Sequence, residues 1–98
     1  MRAGLISLDV HLPGVRSLKE KRRIVRSVVD RLRREVNCAV AEVAHQQLWQ
    51  RCGLGVAVVS EHDGGVRALA EHVRRCVERE PRLEVVAFDL DVVAAEDR

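Results

Sequence analysis

Between Arg16 and Arg34 the chain carries nine lysines or arginines (Arg16, Lys19, Lys21, Arg22, Arg23, Arg26, Arg31, Arg33 and Arg34) against two acids, Glu20 and Asp30. That segment is +7 within a chain of net charge +2, so the remaining residues sum to −5. Such asymmetry creates a directional positive field, which favours polyanions. Wound as a helix at about 100° per residue, Lys19, Arg22, Arg23, Arg26 and Arg33, with Arg16 and Arg34, fall within a sector of roughly 120° that only Asp30 interrupts. A helical ladder of guanidinium forks is what contact with a nucleic-acid backbone requires. The competing reading is a solvated helix face on which Asp30 pairs with Arg26 and Arg34 at four-residue spacing. Lys21 stands apart, on the apolar side of the same helix. It is expected to snorkel, its stem on the core edge and its ammonium in water; the alternative is an amine facing phosphate beside the positive helix end.

Outside that segment little suggests chemistry. His45–Arg51 holds three amides and Trp49, the sole tryptophan. Its indole could stack on a base, anchor a partner or cap one end of the core. Lys19, Arg22, Arg23, Arg26 and Arg33 are thus candidate phosphate contacts, and Trp49 a candidate stacking residue. Ser7, Asp9, His11, Asp89 and Asp91 share one face of neighbouring strands, where carboxylates and a histidine could bind a cation or transfer protons. They serve equally as a solvated or dimerising sheet face. Cys38, Cys52 and Cys76 lie on or beside apolar patterns, which predicts buried, inert thiols. The four histidines lack zinc spacing, and Asp63-Gly64-Gly65 is turn chemistry without a phosphate-loop pattern. No catalytic residue, metal or cofactor is expected.

The elements that position these groups follow from periodicity. Residues 3–12 alternate, with Ile6, Leu8, Val10 and Leu12 inward, and Pro13-Gly14 ends that strand. Ser17 and Glu20 form a capping box for a helix to about Val36, with Leu18, Val25, Val28, Val29, Leu32 and Val36 as its apolar stripe. Cys38–Val43 and Gly53–Glu61 read as strands. Asp63-Gly64-Gly65 marks a turn and the cap of a second helix, whose apolar face is Val66, Leu69, Val73, Cys76 and Val77. Pro81 breaks it. Leu83–Val93 is the last strand, with Val86, Phe88, Leu90 and Val92 on one side and Glu84, Asp89 and Asp91 on the other. The order βαββαβ predicts an α+β, ferredoxin-like sandwich: a four-stranded antiparallel sheet with two helices on one face, residues 1–98 forming a single domain.

At 98 residues with 47% hydrophobic and 33% charged residues, the composition is that of a globular protein. Aromatic residues are scarce, so the core must be aliphatic, and base stacking on central strands as in RNA-recognition motifs is not expected. The odd cysteine count argues against a disulfide framework. Asp9 and His11 interrupt the first apolar run, which is unlike a signal peptide, and no stretch approaches the length of a membrane span. A cytoplasmic location is expected.

The segments Ser17-Leu18-Lys19-Glu20-Lys21-Arg22-Arg23, Val40-Ala41-Glu42-Val43, Leu48-Trp49-Gln50-Arg51 and Leu54–Ser60 together resemble the YlxP-like family, small bacterial proteins of uncharacterised function. The likeness covers nearly the whole chain in the same order. It implies a ferredoxin-like fold and a genomic setting among translation-initiation and ribosome-maturation factors, hence a link to RNA or the ribosomal subunits. Ser17, Lys19, Lys21, Arg22, Glu42 and Trp49 match the family pattern. Ala44 and Gln47 depart from it, standing where relatives are expected to carry acids.

Three functions follow as expectations. The first is a non-catalytic module binding RNA, ribosomal RNA included, through the basic helix. The second is a protein-interaction or homodimerising module using the open sheet face or an edge strand. The third is a small enzyme or metal-dependent regulator using Asp9, His11 and Asp89.

Overall fold

A computed structural model describes residues 1–95. The elements run β1 (Arg2–His11), α1 (Leu18–Glu35), β2 (Ala39–Ala44), β3 (Arg51–Ser60), α2 (Asp63–Glu78) and β4 (Glu84–Ala94). The strands form one antiparallel sheet in the order β2-β3-β1-β4. Both helices pack on one face, so the fold is the expected ferredoxin-like α+β sandwich.

Local chemistry sets each boundary. Gly14, at φ 75°, takes the left-handed turn that releases the chain from β1. Ser17 Oγ accepts the Glu20 N–H at 3.1 Å, and Glu20 Oε2 accepts the Arg16 N–H at 3.2 Å. This is a capping box shifted by one residue at its return contact. The second cap differs from expectation. His62, not Asp63, is the N-cap: its Nδ1 accepts the Gly65 N–H at 3.1 Å. Asp63 instead lies in the first turn, where it pairs with Arg2 at 2.9 Å.

The core is aliphatic, as the composition requires. Ile6, Leu8, Val10 and Leu12 of the β1 pattern meet Val28 and Leu32 of α1 and Val66, Val73 and Val77 of α2. Ile24, absent from the stripe read by period, is also buried, whereas Leu18 is only half-buried. Gly4 lets α2 approach β1, since a Cβ there would stand 2.6 Å from Val66 Cγ1. On β4 the inward residue is Val85 rather than Val86. The register jumps from Asp9 opposite Ala87 to Val10 opposite Val85, which leaves Val86 as a bulge residue, 53% exposed. The same bulge brings Glu84 onto the face of Asp89 and Asp91.

A polar network ties α1 to the far end of α2. Arg31 donates to the Cys76 carbonyl at 3.2 Å and lies 3.7 Å from Glu80. Glu80 is buried, and its carboxylate accepts from the Arg82 backbone N–H, Nε and Nη2 at 3.1, 2.7 and 2.9 Å. Hydrogen bonds from Arg82 hold its pKa down to about 2, against 4.5 ordinarily. A pKa lowered by folding contributes stability above the ordinary value and loses it as pH falls through the folded one. Unfolding titrations should therefore show the wild type losing stability between those two values. Glu80→Gln should cost about 1–3 kcal/mol at neutral pH, a difference that vanishes towards pH 2. A gap between the two proteins that persists at the acid end would refute this role for the carboxylate.

Candidate nucleic-acid interface

The first two turns of α1 present the positive surface. Lys19, Arg22, Arg23 and Arg26 are exposed, and together they line an open hollow of about 410 Å³. Their spacing of three and four residues stacks them on one side of the helix. Among the described residues none of the four has an ion-pair or hydrogen-bond partner for its side chain. Asp30 makes no ion pair there either, so the expected closure by Arg26 and Arg34 is not formed. Four uncompensated cations on one short ridge repel one another, and an anion bridging them relieves that repulsion.

Lys21 overturns the expectation of a snorkelling side chain. It is 1% exposed, and its ammonium turns inward beneath the β2–β3 connection. Nζ lies 2.9 Å from Glu42 Oε2, 2.6 Å from the His45 carbonyl and 3.4 Å from the Gln46 carbonyl. The ammonium thus donates to two carbonyls and faces a carboxylate as its ion-pair partner. Glu42 Oε2 is itself buried and meets the ammonium at ion-pair distance without hydrogen-bond alignment. Burial, with the same carboxylate, pushes the Cys52 thiol up to about 12. Lys21 is therefore neither a solvent-facing nor a phosphate-facing amine; it fastens the connection to α1.

The connection is tied down at its other end as well. His45 adopts φ 61°, and its carbonyl also accepts the Leu48 N–H at 3.1 Å. Gln50 Nε2 donates to the Val15 carbonyl at 3.1 Å, while the Leu12 N–H donates to the Gln50 carbonyl at 2.9 Å. Two of the family-like segments thus meet directly, the start of α1 and the Glu42 strand, and the connection leading into the Leu48–Arg51 run is held by Lys21 beside them. Sequence reasoning found each segment but not their meeting point. The signal was a lysine at a core-facing helix position that had to find a buried acid.

Trp49 does not pack into the core, contrary to the core-capping alternative. It is 51% exposed beside Leu48 and lines a shallow hollow with Gln47, Gln50 and Arg51. That hollow is separate from the Lys19–Arg26 ridge. Arg33 also lies apart from the ridge, its Nη2 donating to the Val40 carbonyl at 3.3 Å on β2. Of the predicted contacts, the structure brings together Lys19, Arg22, Arg23 and Arg26.

Of the alternative site residues, Asp9 and His11 are otherwise engaged. Arg51 holds the Asp9 carboxylate with Nε and Nη2, and His11 Nδ1 lies 3.8 Å from Glu84. Asp89 and Asp91 sit opposite Ser7 and Leu5 in the register, as expected. Among the described residues no group of three His, Cys, Asp or Glu could hold a metal ion. Cys52 and Cys76 are buried, and Cys38 is half-buried. Burial, with the Glu35 carboxylate 3.3 Å from its sulfur, pushes Cys76 up to about 11. No described helix is long and apolar enough to cross a membrane.

The fold has a counterpart in a de novo designed protein, Foldit4, with a TM-score of 0.54 over 98% of this chain and 100% of that one. At 10% identity this shows the fold alone. "Uncharacterized protein YlxP" of Bacillus subtilis (strain 168) is 29% identical over 68 residues, covering 69% of this chain and 74% of that protein. The family model described as "Protein of unknown function (DUF503)" matches residues 3–90, from β1 into β4 and through all the segments that converge on Lys21. The YlxP-like resemblance is borne out, and the chain belongs to the DUF503 family.

Proposed function

We propose that this protein is a non-catalytic module that binds structured RNA, ribosomal RNA included, by its phosphate backbone. The observation that carries the proposal is the ridge of Lys19, Arg22, Arg23 and Arg26, exposed, contiguous and without acidic partners. Arginine forks reach two phosphate oxygens at once, so backbone contact needs no entry into a groove. The exposed Trp49 would add a stacking contact on an unpaired base of an RNA that extends beyond the ridge. Readout is then by RNA shape. A non-catalytic role is supported by the raised thiols of Cys52 and Cys76 and by the engagement of Asp9 with Arg51.

Binding of the purified protein to structured RNA and to ribosomal subunits, measured across a salt series, tests this. Four phosphate contacts predict a log–log slope of about −3 to −4. No binding at low salt, where the electrostatic attraction is greatest, would reject the proposal.

A further inference from the structure

Among the described residues nothing covers the sheet face turned away from α1 and α2, and its two halves differ. Across β2, β3 and β1 it presents small residues beside Leu5 and Val43, which are 52% and 60% exposed, around an open groove of about 350 Å³. Along β4 it presents Asp89 and Asp91, neither of which is ion-paired among the described residues. Leu5 lies opposite Ala57 on one side and Asp91 on the other; Ser7 lies opposite Gly55 and Asp89.

We infer that this face pairs with the same face of a second copy, about a two-fold axis parallel to the strands. Such an axis reverses the order of the strands and preserves height along them, so β1 lies over the second copy's β3, and β4 over its β2. Leu5 then sits over the second copy's Ala57, and Val59 over its Ala3: a large side chain meets a small one each time. The groove is the socket for the projecting leucine.

The charges match in the same arrangement. Asp89 and Asp91 come over the second copy's β2 at the heights of Ala41 and Ala39. Midway between those heights is Val40, whose carbonyl holds the Arg33 guanidinium at the sheet edge. Two unpaired carboxylates thus meet a pre-positioned guanidinium, twice per dimer. Four strands spaced about 4.8 Å apart and about 33 Å long give a face of roughly 600 Å² in projection. Side-chain relief brings that towards the roughly 800 Å² per partner of a stable interface. The half-exposed Asp9–Arg51 and His11–Glu84 pairs form a polar rim at one end.

Sedimentation velocity and light scattering over a concentration series, without RNA, test the inference. The wild type should dimerise. Leu5→Glu, at an exposed position, should retain its circular dichroism and raise the dissociation constant at least about a hundredfold, because two buried leucines are lost per dimer. Arg33→Glu and the pair Asp89→Arg with Asp91→Arg should each raise it about tenfold or more, and the three combined should restore pairing. A wild type that stays monomeric at millimolar concentration, a dimer indifferent to Leu5→Glu, or a failure of the combined charge swap to restore pairing would each overturn the inference.

Discussion

Replacing Lys21 with methionine is expected to cost about 3–5 kcal/mol of unfolding free energy, because it leaves the buried oxygen of the half-buried Glu42 carboxylate without its cation. Methionine fills much of the same volume, so packing changes little. Glu42 Oε2, however, loses the ammonium now 2.9 Å away, and the His45 and Gln46 carbonyls lose their donor. At about 4–8 °C per kcal/mol for a domain of this size, the thermal midpoint should fall by more than about 12 °C. Pairing the change with Glu42→Leu should recover most of the loss, since removing both partners of a buried ion pair is often neutral. Trp49 is the sole tryptophan and sits on the fastened connection, so its emission should shift in Lys21→Met before global unfolding. Thermal and denaturant unfolding of the two single variants and the double variant checks this. A cost below about 1 kcal/mol for Lys21→Met would show the ammonium to be exchangeable with water.

Reversing Arg22 and Arg26 to glutamate should have the opposite profile, leaving stability intact and abolishing binding. Neither guanidinium has a partner among the described residues, so stability should stay within about 0.5 kcal/mol of wild type. Each reversal removes a charge-assisted contact of about 1.5–3 kcal/mol and puts an acid against phosphate. Together they should lower affinity for structured RNA by at least about a hundredfold at low salt and flatten the salt slope by about 2. Arg67→Glu on α2, an exposed charge away from the ridge, is the control and should change affinity little. Equal losses in both proteins would mean that only net charge matters; unchanged affinity in Arg22→Glu with Arg26→Glu would remove α1 from the binding surface.

The architecture was legible because each element carried a local signal. The Ile6–Leu12 alternation, the Ser17/Glu20 cap and the Pro81 break are statements about neighbouring residues. What failed to show were meetings between distant ones. Period places Lys21 on the apolar side of α1, but nothing local reveals that Glu42 and two loop carbonyls arrive above it. Local pattern therefore predicts snorkelling where the fold buries the side chain. The Val86 bulge has the same origin, because register is a property of two strands and neither encodes it alone. At α2 the error was between adjacent candidates: aspartate is the stronger capping type, yet the extended backbone falls on His62, whose imidazole does the same work. The basic ridge was legible as a cluster, and the loss of Arg33 from it was not, since Arg33 turns towards β2.

The chain has two lysines, and the burial of Lys21 makes them chemically unequal. An amine-selective acylating reagent will meet one lysine side chain open to solvent, Lys19, which lies within the basic hollow. Its protection from labelling reads occupancy of that hollow in the unmutated protein. Labelling of Lys21 proceeds only when the β2–β3 connection lifts, so its rate relative to Lys19 is a clock for that opening. A single mass spectrum taken over time thus separates ligand arrival from local unfolding in the same molecules.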